Sequence, residues 1–518
     1  MHMTKYAILL FSLLCIHVQS QSIHTTKLIK NITIISANAE SVASQLGYVV
    51  IEGDKIAYVG EKKPEGLGDH KELNGKGKFL IPGLIDSHVH LANTPGFNGQ
   101  LKNKYPELVD AYFEQLPRSY LYHGFTTLID VNNYAPERIK KINQSPLHPD
   151  IYTCGNQVQV MDDFMMEMEE YPQSERYQFQ FLHDTHNREI VFPDSINLAE
   201  HTPEKIISEI KRQNGVGVKI AYEDEATGMA VSWAQPSKEI VTTLVAEAQK
   251  QQIPVLLHAP SLEGHQFGLQ TGVQIFAHGL WNWSSDPKEY LNPVLGEAHK
   301  KALRQIAQNK LGYQLTFRAL LGERDLISSS FSADRKLDHV YPKAYLALLR
   351  TEAGQWGKNK IYGRTEFLKK TNPPFYQALQ GEYTNNEAVW ENAFKVYGHR
   401  INTTAKFLAE KDANFILGSD TPAMNMFTNP PGYNGFLEMK HMFEAGISLH
   451  SIFRAATYNN AKAFHLERQY GSVEKSKIAN LLILNSNPLE NVEAYNKIDY
   501  VILRGEMIER SELSALRN

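Results

Sequence analysis

Runs of Ile, Val, Leu and Tyr recur along this chain, and their arrangement differs between its ends and its middle. Near the start, Leu28 to Ile35, Gly47 to Glu52 and Lys55 to Val59 read as short strands, with Gly53-Asp54 a turn between the last two. Gly66 to Lys78, rich in Gly and Lys, reads as a loop. The far end mirrors this: Ala479 to Leu484 and Tyr500 to Leu503 are strand-like, and Arg504-Gly505-Glu506 is a hairpin turn. Two β-rich ends around a long middle predict one small sheet domain built from both termini, over 21–80 and 466–518.

The middle behaves differently. Phe79 to Ile85, Thr127 to Val131, Gly217 to Ala221, Ile253 to Leu257, Val273 to Ala277, Gln314 to Phe317 and Asn414 to Leu417 are apolar runs. Each ends in a polar or small residue and is followed by helical pattern. Continuous apolar strands alternating with helices indicate a parallel sheet buried on both faces. Seven or more of them fit an α/β fold of the (β/α)8 TIM-barrel type over 81–465 better than an open sheet, although closure is not written in the sequence. Residues 285–400, rich in Tyr, Lys and Glu, are longer than the units they must contain and predict a helical insertion.

Composition narrows the function. The chain has 518 residues, 42% of them hydrophobic, so a large core is available. Lys plus Arg number 53 against 57 acidic residues, a net charge of −4 that gives no basic surplus for nucleic acid or an anionic membrane. Two cysteines exclude a disulfide scaffold.

Lys5, the apolar run Tyr6 to Ile16 and Val18-Gln19-Ser20 match the three zones of a secretory signal over 1–20, which predicts an exported (periplasmic or extracellular) protein. The run is shorter than the ~20 apolar residues of a stable span, and no later segment is long enough. Cleavage after Ser20 would remove Cys15 and leave Cys154 as the one cysteine, so no disulfide can form within the mature chain.

The sharpest chemical signal is Asp86-Ser87-His88-Val89-His90, directly after a strand. In extended chain, residues two apart face the same way, so His88 and His90 can offer two imidazoles to one metal. Alone, the pair reads equally as packed core. Lys219, His258, His278 and Asp420 follow further apolar runs, and five strand ends thus deliver ionisable side chains where such folds place active sites. The 131 residues from His88 to Lys219 hold three strand–helix units of about 44. Lys219 then ends strand four, His258 strand five and His278 strand six, while the 142 residues before Asp420 leave room for the insertion.

Several stretches resemble the amidohydrolase superfamily: Leu80-Ile81-Pro82-Gly83-Leu84-Ile85-Asp86-Ser87-His88-Val89-His90, Gly124 to Asp130, His278-Gly279, Gly418 to Pro422, and the tail from Glu444 to Leu484. The chain is most similar to the branch holding imidazolonepropionase-like enzymes and metal-dependent Xaa-Pro dipeptidases. The resemblance implies a barrel with a small β-sandwich built from both termini, and a hydrolase of C–N bonds in a small amide or peptide-like substrate, working with metal-activated hydroxide. His88 and His90 would hold one ion, His258 and His278 a second, and Lys219, carbamylated by CO₂, would bridge two Zn ions. Asp420 would bind the first ion and move the proton. Alternatives are a cyclic amidase with one metal, or an inactive binding protein on the same scaffold.

Departures from the pattern are Asn480, where relatives carry Asp, and Gly435-Phe436, where they often carry His. Imidazolonepropionases proper lack the carbamate, so Lys219 argues against that activity. Tyr222 and Glu223 could line the mouth or be solvated loop residues. Arg318, following strand seven, could clamp a substrate carboxylate or form a surface ion pair. Trp281 and Trp283 are wall or packing residues. Oligomeric state stays open.

Overall fold

The computed structural model describes residues 26–168, 173–186, 190–224, 233–283, 289, 291–423 and 426–517; the expected export segment, 1–20, lies outside them. In chain order the strands are β1 (Thr26–Ala37), β2 (Val42–Glu52), β3 (Lys55–Gly60), β4 (His70–Asn74), β5 (Phe79–Pro82), β6 (Leu84–Val89), β7 (Phe125–Asp130) and β8 (Asp150–Thr153). Two short strands follow, β9 (Gln159–Val160) and β10 (Phe181–Leu182). Then come β11 (Val218–Ala221), β12 (Val255–His258), β13 (Ile275–Ala277) and β14 (Gly312–Gln314). The last three are β15 (Leu481–Leu484), β16 (Ile498–Leu503) and β17 (Glu506–Glu509).

Both ends of the chain build one sheet, in the order β17-β16-β15-β5-β1-β2-β3 with β4 on β1. A sandwich of two sheets is expected; the hydrogen bonding is continuous instead. The reason lies in β1, whose pairing shifts between Ile29 and Ile32, with Asn31 at φ +58°. Such a bulge bends a strand. Before the bulge β1 pairs with β4, and after it with β5. Inside lie Ile29, Ile32, Ile34, Val49, Leu80, Leu481, Ile483 and Ile502, all buried. The loop expected over Gly66 to Lys78 contains β4, an exposed edge strand that exists because β1 pairs with it, and its own sequence pattern is weak.

The run Phe79 to Ile85 is two strands in two sheets. β5 pairs with β15, whereas β6 pairs with β7. The partner changes at one peptide: Gly83 N–H donates to Asn480 O (2.8 Å) and Leu84 N–H to Gly124 O (2.9 Å). Pro82, with no N–H to give, precedes the switch.

The middle forms two parallel sheets, β6-β7-β8 and β11-β12-β13-β14. Alternate residues enter different cores. Leu84, Phe125, Leu128, Val255, Leu257 and Phe276 pack outward under the helices. Ile85, Ile129, Leu256, Ile275 and Ala277 point inward with Cys154 and Ile416. Apolar residues on both faces are what makes these strands continuous apolar runs in sequence. Val158 N–H donates to Lys219 O (2.8 Å) at one junction between the sheets; Ile416 N–H to Tyr313 O (3.1 Å) and Ser87 N–H to Leu417 O (3.0 Å) bridge the other.

Two sequence expectations shift here. Strand seven ends at Gln314, because Thr316 takes φ +46° and Phe317 opens the helix Phe317–Ile327. Arg318 is therefore helical. The insertion is also displaced: 285–400 includes the helix Glu297–Gln308 and β14, which belong to the strand–helix repeat, and the extra helices run from Phe317 to Glu410. Two of them pin the loop after β6, with Tyr345 Oη donating to Pro95 O (2.6 Å) and Trp356 Nε1 to Gly96 O (2.6 Å). Among the described residues, no helix is long and apolar enough to cross a membrane.

Candidate metal centre

His88 and His90 leave the end of β6 toward Asp420. His90 Nε2 lies 3.0 Å, and His88 Nε2 3.5 Å, from Asp420 Oδ1. One ligand atom from each of the three lies within 4.8 Å of the others. On the far side, His88 Nδ1 meets Gln314 Oε1 at 2.9 Å, while Gln314 Nε2 donates to Ser87 Oγ at 2.8 Å. The second contact orients the amide, so His88 carries its proton on Nδ1 and keeps the Nε2 lone pair toward Asp420.

Asp86 staples this corner together. It is fully buried and accepts from Ser419 N (3.0 Å), Ser419 Oγ and His88 N (3.2 Å). Burial pushes its carboxyl up to about 7, against those three donors. Gly418 is required by contact: a Cβ there would strike His88 Cβ and the Gln314 amide. Asp420 (φ +55°) and His278 (φ +76°) both hold the left-handed backbone that side chains other than glycine avoid. Strain of this kind concentrates at functional sites.

Lys219, on β11, is buried, with Nζ 3.4 Å from His88 Nε2. Burial pulls its ammonium down to about 8 although nearby Asp420 supports the charge. His278 Nδ1 meets Thr316 Oγ1 at 2.9 Å and lies 3.9 Å from Asp420 Oδ2. The His258 and His278 ring centroids are 4.3 Å apart, those of His88 and His278 5.3 Å. All six residues anticipated as ligands therefore gather at one place. Burial, then Lys219, pushes His258 down to about 3, and burial also holds His88 and His278 well below the imidazole range. Burial opposes ionisation of Asp420, but His88, His90 and His278 outweigh it and hold its carboxyl well below the usual range. Imidazole nitrogens beside a carboxylate are a donor set that suits a divalent cation.

The two substrate candidates fare differently. Tyr222 is half-buried and packs on Phe267, ring centroids 4.6 Å apart. Arg318 is not a surface ion pair, and its donors are turned into the fold. Nε donates to Asn434 Oδ1, Nη1 to Asp325 Oδ2 and Nη2 to Thr428 O, each at 2.6 Å. Asn434 Nδ2 in turn holds Ser419 O (3.1 Å) and Thr421 Oγ1 (2.5 Å), so Arg318 braces the Asp420 loop from behind. Glu438 accepts the Phe317 and Arg318 N–H groups at 3.0 Å each and caps that helix. Trp283 is buried packing, and the Trp281 ring lies 5.4 Å from His278.

Sequence reasoning passed over Gln314, Thr316 and Asp86. Their one visible signal is a polar side chain within or just after an apolar run. Glu223 is not solvated: it is 5% exposed, and its Oε2 lies 2.5 Å from His258 Nε2. Burial, reinforced by Asp224, raises its carboxyl well above the usual range.

The family described as "Amidohydrolase family" matches residues 79–275 and 395–508, more than half of the chain. A 5-methylthioadenosine/S-adenosylhomocysteine deaminase of Thermoanaerobacter pseudethanolicus is 30% identical over 129 residues, 22% of this chain and 30% of that protein. An imidazolonepropionase of Fusobacterium nucleatum is 42% identical over 79 residues, 15% of this chain and 17% of the relative. The chain thus matches less than a third of the length of these curated relatives. Over the whole fold it resembles a Xaa-Pro dipeptidase with bound methionine (TM-score 0.59, 17% identity, 94% of this chain and 100% of the other). It also resembles molinate hydrolase (TM-score 0.62, 17% identity, 95% and 96%).

Proposed function

The chain belongs to the amidohydrolase family, and from that premise we propose that it is a metal-dependent hydrolase of C–N bonds in a small amide or peptide-like substrate. The observation that carries this reading is the convergence of His88, His90, Lys219, His258, His278 and Asp420 from separate strand ends. We further propose that β6–β8, β11–β14 and the Asn414–Leu417 segment make the (β/α)8 barrel expected from the sequence, supported by the hydrogen bonds that bridge the two parallel sheets.

His88, His90 and Asp420 would hold one ion and His258 with His278 a second; Lys219, as its carbamate, would bridge two zinc ions. Its lowered ammonium range favours the free amine that captures CO₂. Such ions supply an acidified water and a polarised carbonyl. Asp420 is ionised before the reaction, so its carboxylate can accept the proton of the attacking water and return it to the departing nitrogen. The Arg318–Asn434 brace and the Asp86 staple keep that carboxylate from turning away. The second reading, one ion without the carbamate, is favoured by the tight grouping of His88, His90 and Asp420 alone. Export rests on residues 1–20 and is checked by N-terminal sequencing of the secreted protein.

Protein prepared with zinc and bicarbonate is expected to contain two zinc ions by elemental analysis and to cleave one class among Xaa-Pro dipeptides, N-acyl amino acids and cyclic amides. Lys219→Ala should lose the second ion and most activity, with partial rescue by short carboxylic acids. Absence of bound divalent metal would sink the reading, and one ion with full activity in Lys219→Ala would select the mononuclear form.

A further inference from the structure

The four imidazoles of the centre are not held alike. His88 and His278 are gripped at Nδ1, by Gln314 Oε1 and Thr316 Oγ1 at 2.9 Å each, and His88 turns its Nε2 to Asp420 and Lys219. His258 is gripped at the other nitrogen, Nε2, by Glu223 Oε2. The face of its ring is covered by Phe164, centroids 5.4 Å apart and 20° from parallel, and Phe164 is backed by Trp233 at 5.2 Å. The His278 ring stands nearly perpendicular at 4.3 Å. Among the described residues nothing hydrogen-bonds Nδ1, so it is the polar atom of this ring left for a ligand.

Glu223 is itself built in. The side-chain amide of Gln235 pairs with its backbone, Oε1 accepting the Glu223 N–H at 3.0 Å and Nε2 donating to the Glu223 carbonyl. Its second carboxyl oxygen, Oε1, is buried without a hydrogen-bond partner among the described residues. A buried carboxylate with an orphaned oxygen is costly unless something nearby uses its charge. Metal-binding histidines commonly pass their outer N–H to a carboxylate, which fixes the ring and raises its basicity.

We propose that Glu223 is a positioning residue for the second ion: it holds His258 by Nε2 so that Nδ1, the nitrogen opposite to the one His88 offers, faces a divalent cation. The inference rests on the metal-dependent reading above. It also places a carboxyl group just behind the ligands of this corner, where the other corner has the amide of Gln314.

The test is metal binding, independent of turnover. Zinc affinity of the two-ion protein is measured by chelator competition for wild type, Glu223→Gln and Glu223→Leu. Nitrogen NMR of the zinc-loaded protein reports which ring nitrogen of His258 carries the proton. Glu223→Leu should weaken one of the two ions about 10- to 100-fold and leave the other unchanged. Glu223→Gln, which keeps an acceptor, should weaken it less, and wild-type His258 should be protonated at Nε2. If Glu223→Leu does not fold, Gln235→Ala removes the backbone clamp and should weaken the same ion. Unchanged affinities, or a His258 proton at Nδ1, overturn the proposal. So does equal loss in the Gln and Leu variants, because the carboxylate would then bind the ion itself. A wild type that binds two ions while the variants match it refutes the role of Glu223 alone; a wild type that binds none refutes the metal-dependent reading.

Discussion

The corner formed by His88, His90 and Asp420 and the corner formed by His258 and His278 present the same chemistry on different supports. In the first, the supports come largely from the motif strands: Asp86 two residues before His88, Ser419 beside Asp420, and Gln314 at the end of a neighbouring strand. In the second, Thr316, two residues past that same strand, holds His278, while His258 is held by a loop carboxylate, Glu223, and covered by the aromatic ring of Phe164. A corner stapled by strand ends is as rigid as the sheet. A corner held by loop residues depends on segments far apart in the chain, and there a single substitution can be isolated from the fold.

The largest expected effect lies in the first corner. Asp420→Asn keeps the size of the side chain and removes the proton acceptor, so kcat on an amide found by the substrate screen should fall about 10²- to 10⁴-fold. Steady-state kinetics checks this; a loss below tenfold would move the proton-handling role elsewhere. Next, Arg318→Met takes one of two arginines from Asp325, leaving Arg324, and strands the Asn434 Oδ1 and Thr428 O acceptors. Urea unfolding should show a loss of about 1–3 kcal/mol, as for a buried polar group left without its partner. A raised KM with unaltered stability would instead restore the carboxylate clamp expected from sequence.

The two corners are separated most sharply by Gln314→Leu. It removes the acceptor at His88 Nδ1 and should weaken the ion of the first corner about 10- to 100-fold, seen by the same chelator competition, without moving the second. Weakening of both ions would mean that the corners act as one unit.

The smallest effect concerns a histidine outside both. His265 is buried, bonded to Ser261 O (2.8 Å) and Tyr313 Oη (2.9 Å), and burial pulls it down to about 4 although the Ser261 carbonyl opposes this. Its ring is neutral in the fold and titrates near 6.5 when unfolded, so the unfolded chain binds more protons between these values. The stability it contributes is complete above pH 6.5 and is lost as pH falls toward 4, at up to about 1.4 kcal/mol per pH unit. His265→Gln should flatten that slope in thermal melts of metal-free protein recorded across this window.

The ligands were legible because each closes an apolar run, and an apolar run that ends in His, Lys or Asp is a local pattern. Their supports were not. Glu223 follows Lys219 by four residues and reads equally as solvent-exposed; only the approach of β12, with His258 at its end, buries it. Arg318 looks like a residue after a strand until Thr316 turns left-handed and starts a helix, which points the guanidinium at Asn434 and Asp325. β4 has almost no strand signal because its partner, β1, is forty residues away.

Local patterning thus determined that this chain has parallel strands buried on both faces, a separate β-rich unit drawn from both ends, and six ligand-type side chains at strand ends. Those features depend on the alternation of side chains along a strand, which is a property of sequence. Tertiary structure decided the rest. It made one continuous sheet from an expected sandwich, split the run Phe79 to Ile85 between two sheets, began the extra helices at Phe317, and chose which nitrogen of each imidazole is held. Each of these turns on which distant group fills a hydrogen-bond position, and that is set when the strands meet.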